Sequence, residues 1–87
     1  MREPTSFWPH SPGDVKLVRE SLQDLALQVG LPPPDDGILR QVLDGARGAS
    51  GLDICHTLVG LWKRQKFRGM YSWGLLPMVV KQCYQVA

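Results

Sequence analysis

The stretch Ser50-Gly51-Leu52-Asp53-Ile54-Cys55-His56-Thr57-Leu58-Val59-Gly60-Leu61-Trp62-Lys63-Arg64 decides the fold. Its apolar residues recur at three- and four-residue steps, the period of a helix, and nothing alternates as a strand does. Ser50 followed three residues later by Asp53 is a helix-start signal. Leu52, Ile54, Cys55, Leu58, Val59, Leu61 and Trp62 form the apolar part, and Asp53, His56, Thr57, Gly60, Lys63 and Arg64 share the polar stripe. This is the most hydrophobic helix of the chain, and it is expected at the centre of the core with Trp62 buried. It runs into Lys63-Arg64-Gln65-Lys66, whose cations complement the negative end of a helix dipole.

Working outward, residues 11–29 predict a second strong helix. Ser11 is its cap, Pro12 suits its first position, and Asp14 stands as the reciprocal acid of a short capping box. Val15, Val18, Leu22, Leu25 and Val29 line one face, with Leu17 and Leu27 widening it. Gly30 stops the helix and Pro32-Pro33-Pro34 prevents its resumption. Asp35 or Asp36 then caps a short helix whose apolar face is Ile38, Leu39, Val42, Leu43 and Ala46, weakened at its end by Gly45 and Gly48. Gly69 and Ser72 mark a break. Pro77 belongs in the first turn of a helix starting around Gly74 or Leu75, with Leu75, Leu76, Val79, Val80 and Cys83 on its apolar face. The expected fold is all-α: a small bundle of about four helices over residues 11–87, preceded by an extended arm, residues 1–10. Pro4 and Pro9 keep that arm from being helical, and Phe7-Trp8 is an apolar plug for this domain's own groove or another chain's.

Composition narrows the class. The chain has 87 residues, room for one modest domain, with 44% hydrophobic and 21% charged residues, a globular balance. No apolar run reaches the roughly 18 residues of a membrane span, and no apolar segment follows Met1-Arg2-Glu3-Pro4 as a secretory signal requires. Cys55 and Cys83 are too few for a disulfide scaffold, and two buried thiols in a reduced, cytoplasmic chain are expected. The chain reads equally well as a protein or as one domain of a longer one.

Catalytic chemistry finds little material. Cys55 and His56, adjacent on a helix, point about 100° apart and cannot serve each other as nucleophile and base. The Cys55, His56, Cys83 spacing matches no zinc pattern, and no glycine-rich phosphate loop is present. No catalytic residue, metal, cofactor or small-molecule substrate is expected.

Charge is the informative feature. All eight acids lie at or before Asp53, where five cations leave that part at net −3; residues 54–87 carry Lys63, Arg64, Lys66, Arg68 and Lys81 with no acid, a net +5. Between Trp62 and Trp73, four of these cations interleave with Trp62, Phe67, Tyr71 and Trp73. Cations neutralise phosphates and release counterions, and flat rings stack on unpaired bases for about 1–3 kcal/mol each. The expected nucleic-acid site is therefore Lys63, Arg64, Lys66, Phe67, Arg68, Tyr71, Trp73 and Lys81. Local neutralisation of one half of the chain by the other is the competing expectation.

The stretch Asp36 to Trp62 also resembles the C-terminal helical domain of DnaD-type bacterial primosomal and replication-initiation proteins. The resemblance is carried by Ile38-Leu39, Val42-Leu43 and Gly45-Ala46 in one helix, and by Ile54, Leu58 and Trp62 in the next, with Lys63 directly after. It covers about a third of the chain, and Ile54 stands where the family has Tyr. It implies binding of DNA, chiefly single strands or loading intermediates, by the basic segment after Trp62, and contacts with other replication proteins. The alternative is a helical protein-interaction adaptor that docks a partner through an apolar helix face or the Phe7-Trp8 arm.

Overall fold

The computed structural model describes residues 7, 10–64 and 72–85, and these form an all-α bundle. Four helices follow one another: α1 (Pro12–Val29), α2 (Asp36–Gly45), α3 (Gly51–Lys63) and α4 (Leu76–Cys83). Each start is explained locally. The Ser11 hydroxyl accepts from the Asp14 amide at 3.1 Å, Asp35 Oδ1 from the Ile38 amide at 3.0 Å, and the Ser50 hydroxyl from the Asp53 amide at 3.2 Å. In each case an otherwise orphaned amide of the first turn gains a partner. α4 has no side-chain cap; it begins at Leu76, slightly later than the expected start, with Pro77 in its first turn. Gly30 closes α1 with φ 79°, donating to the Ala26 carbonyl at 2.9 Å, a left-handed turn that glycine adopts without steric cost.

The core is one cluster shared by all four helices. Val18, Leu22, Val42, Leu43, Ile54, Leu58, Leu76 and Val80 are its largest fully buried side chains. α1 packs chiefly on α3, and α2 on α4. Asp14 lies against Gly51 and Leu17 against Cys55, so α1 and α3 run in the same direction with their N-termini level. α4 returns along α3, setting Tyr84 beside Asp53 and Thr57. Phe7 is half-buried against the core, with the Arg19 guanidinium 5.8 Å from its ring centre, so this part of the arm folds back on its own domain. Trp8 lies outside the described residues.

The meeting of α1 and α3 is backbone-tight. A Cβ added at Gly51 would come within 2.7 Å of Asp14 Cα and 2.9 Å of its carbonyl oxygen. The Asp14 carboxylate accepts from the Gly51 amide at 2.9 Å. The expected capping-box role for Asp14 is thereby corrected: its carboxylate serves the start of α3, because Gly51 lets that amide approach.

Several residues expected in the core are on the surface. Leu17 and Leu27 leave the α1 face exposed, as do Leu52, Val59 and Trp62 on α3 and Leu75 before α4. Cys83 is exposed and Cys55 half-buried, so the pair of buried thiols is not found. Among the described residues no helix is long and apolar enough to cross a membrane.

Two stability outcomes follow from backbone geometry. Gly51→Ala must push α1 and α3 apart against fixed backbone atoms, and it should cost about 1–3 kcal/mol in urea unfolding. Arg47 holds a left-handed φ of 55° between α2 and α3, a strain of roughly 1 kcal/mol for a side-chain-bearing residue. Arg47→Gly should therefore raise the unfolding free energy slightly, by up to about 0.5 kcal/mol after the entropy of the added glycine is subtracted.

Candidate nucleic-acid interface

Lys63 closes α3 and Arg64 is its C-cap residue; both are exposed. The Arg64 amide donates to the Gly60 carbonyl at 3.0 Å, completing the last turn and fixing where the two cations leave the helix. Their charges sit at the negative end of the α3 dipole, which favours them there. Lys81 is also exposed but belongs to a different seam. A Cβ on Gly45 would lie 3.4 Å from Lys81 Cβ, so its stem packs where α4 crosses the end of α2. The structure thus pairs Lys63 with Arg64 and sets Lys81 on the α2–α4 seam. Lys66, Phe67, Arg68 and Tyr71 lie outside the described residues.

Trp73 is a correction. It is 7% exposed, and its indole N–H donates to the Pro32 carbonyl at 2.6 Å. It clips the approach to α4 onto the proline linker between α1 and α2. Its ring belongs to the core and not to the expected stacking surface. Trp62 is the opposite correction, 40% exposed where burial was expected. Ile54, Leu58 and Leu61 turn inward, and Trp62, about 100° from Leu61 and about 40° from Leu58 around the helix, lies at the edge of the buried face in the last turn of α3. Of the rings between residues 62 and 73, Trp62 is thus the described one that faces solvent.

The acids explain why the cations stand apart. Asp35 caps α2, Asp14 holds the Gly51 amide, and Asp53 accepts from the Tyr84 hydroxyl. The ion pairs recorded are His10–Asp44 at 2.9 Å, Arg19–Asp36 at 3.2 Å and Arg40–Asp44 at 3.4 Å, all within the first half of the chain. Among the described residues no carboxylate pairs with Lys63, Arg64 or Lys81.

The Cys55 thiol donates to the Leu17 carbonyl at 3.3 Å; burial pushes its pKa up and nearby Glu20 adds to this, against a lowering contact from Ser21. That is the setting of an unreactive thiol, since the thiolate is the nucleophile. His56 is exposed, and among the described residues no group of three His, Cys, Asp or Glu is placed to hold a metal ion. A recess of about 110 Å³ is bounded by Arg19, Leu22, Gln23, Pro34, Asp36 and Leu39, and a shallow one of about 400 Å³ by His10, Ser11, Asp14, Asp44, Gly48 and Ala49.

Tyr84 was missed by sequence reasoning. Its hydroxyl lies 2.7 Å from Thr57 Oγ1 and donates to Asp53 Oδ2 at 3.1 Å, tying the end of α4 to the first half of α3. A tyrosine one position beyond an apolar helix face was the available signal, but its partners are 27 and 31 residues away. Burial raises the Tyr84 pKa above the ordinary phenol value of 10.0; Asp53 reinforces the rise, and the Thr57 contact partly offsets it.

No family model, curated protein or solved structure matches this chain.

Tyr84→Phe should lower stability by about 0.5–1.5 kcal/mol at neutral pH, the worth of an ordinary hydrogen bond. Because the folded-state pKa is raised, the neutral phenol's contribution is intact below pH 10 and is lost as pH rises through the higher folded value. The gap between wild type and Y84F in urea midpoints should therefore shrink in alkali.

Proposed function

We propose that this chain is a non-catalytic binding module for nucleic acid, engaged through the cationic end of α3. The observation that carries the reading is that Lys63 and Arg64 are solvent-exposed without a carboxylate partner among the described residues, while Asp14 and Asp35 serve helix starts, Asp53 takes Tyr84, and Asp36 and Asp44 pair with His10, Arg19 and Arg40. Unneutralised cations on a fixed helix end contact phosphates and release condensed counterions. Lys66 and Arg68, next along the chain, extend the same charge. Lys81 contributes to the general field and is not a member of the same cluster.

The stacking component now rests on Trp62, with Phe67 and Tyr71, and no longer on Trp73. The resemblance of residues 36–62 to DnaD-type helical domains supports DNA as the nucleic acid and replication as the setting, with other replication proteins as further partners. A second reading, protein interaction, is favoured by one specific observation: the exposed apolar row Leu52, Val59 and Trp62 on α3.

Labelled single- and double-stranded DNA titrated at low and moderate salt tests the proposal. Micromolar or tighter binding that weakens with salt is expected, and K63E/R64E should weaken it at least about tenfold and flatten the salt slope by about one for each lost phosphate contact. Absence of salt-dependent binding at micromolar protein, or unchanged binding after charge reversal at Lys63, Arg64, Lys66 and Arg68, overturns it.

A further inference from the structure

The bundle is complete without its arm. Ser11 caps α1 by itself, and the largest fully buried side chains all come from the four helices. Two arm residues are nevertheless seated on it. Phe7 is half-buried against the core with the Arg19 guanidinium 5.8 Å from its ring centre, and His10 Nε2 lies 2.9 Å from Asp44 Oδ1. The His10 amide donates to the Phe7 carbonyl at 2.6 Å, which fixes the spacing of ring and imidazole.

Both polar walls of this seat are held by the bundle itself. Arg19 of α1 pairs with Asp36 of α2 at 3.2 Å, and the second Asp44 oxygen pairs with Arg40, one turn earlier on α2, at 3.4 Å. The seat therefore lies along the seam of α1 with α2. It carries, ready placed, a cation for the face of an aromatic ring and a carboxylate for a donor three residues on. Walls that are held in advance bind a ligand without an ordering cost of their own. Past Arg19 and Asp36 the seam continues as the recess of about 110 Å³ bounded also by Gln23 and Pro34, which neither Phe7 nor His10 lines.

The arm holds the seat weakly. A contact with an exposed carboxylate and a cation–ring contact at an exposed arginine contribute little, and ordering an arm costs conformational entropy of similar size. Arm and seat are therefore in exchange, as a weakly bound tethered ligand is.

We infer that the α1–α2 seam is a peptide-docking site with the chain's own arm as its resident occupant. A partner protein's segment of the same chemistry displaces the arm: an aromatic ring, then a His, Lys or Arg side chain three residues later. The arm is thereby autoinhibitory. This goes beyond the nucleic-acid proposal and does not rest on it. The His10–Asp44 contact lies beside the N-terminus of α1, which is level with that of α3, whereas Lys63 and Arg64 stand at the other end of α3.

The test is an NMR titration of the isotope-labelled full chain with an unlabelled peptide of residues 1–12. A chain carrying Phe7→Ala and His10→Ala has an empty seat and should bind the peptide with a Kd on the order of 0.1–1 mM, with shift changes centred on Arg19, Asp36 and Asp44. The wild-type chain, its seat partly filled, should bind at least about threefold more weakly. Peptides bearing F7A or H10A should each lose at least about threefold against the empty seat, and Asp44→Ala in that chain should abolish the distinction between the H10A and unaltered peptides. If the double variant loses its helical circular dichroism, His10→Ala alone replaces it with the same expectations. No binding at millimolar peptide, equal binding by filled and empty seats, or indifference to the peptide's Phe7 and His10 overturns the inference. So does a wild-type dimer that F7A/H10A abolishes, since the occupant is then a second copy's arm.

Discussion

The contact on which the rest of the structure depends is the one between Asp14 and Gly51. It is simultaneously a steric and an electrostatic constraint. Only a residue without Cβ allows the α3 backbone to reach Asp14, and at that distance the Asp14 carboxylate takes the first α3 amide as a hydrogen-bond partner. An acid at a helix N-terminus also meets the positive end of the dipole, so the capping bond and the field act together. Once the two N-termini are level, the apolar rows Val15-Val18-Leu22-Leu25 and Ile54-Leu58-Leu61 are brought into register along the two helices. The remaining elements close around that pair. Trp73 fastens the approach to α4 onto Pro32, and Tyr84 fastens its end onto α3.

The same geometry determines which charges face outward. Asp14, Asp35 and Asp53 are held by backbone amides or by a tyrosine hydroxyl, and Asp36 and Asp44 by first-half cations. None of these contacts involves Lys63, Arg64 or Lys81, so among the described residues those cations are not neutralised by them. Lys63 and Arg64 favour the end of their own helix through its dipole and still present full charges to solvent, where an anionic polymer gains most from them. Folding and the proposed binding therefore make compatible demands on the same two residues.

α3 divides its hydrophobicity between two tasks. About half of its apolar side chains fill the core, and the rest form a stripe that α1 covers in part at Cys55 and that is otherwise exposed at Leu52, Val59 and Trp62. A helix hydrophobic over so wide an arc is ordinarily buried on both sides. In a four-helix domain of this size there are too few helices to do that, and the stripe is left to solvent or to another molecule.

Helix number, most helix starts and the all-α class were legible in the chain itself, because caps and three- and four-residue spacing act over a single turn: Ser11, Asp35 and Ser50 each bond an amide three residues on. The exposure of Lys63 and Arg64 was legible too, since charged side chains at a helix C-terminus stay in water, where the dipole favours them. Which apolar residues are buried was not. Trp62 reads as core and is exposed, Trp73 reads as surface and is sealed, and Asp14 reads as the reciprocal half of its own helix cap and serves another helix. Spacing along a helix says which residues share a face, but burial depends on what packs against that face. That was decided by contacts 37 residues apart for Asp14 with Gly51 and 41 for Trp73 with Pro32, distances over which sequence periodicity carries no information.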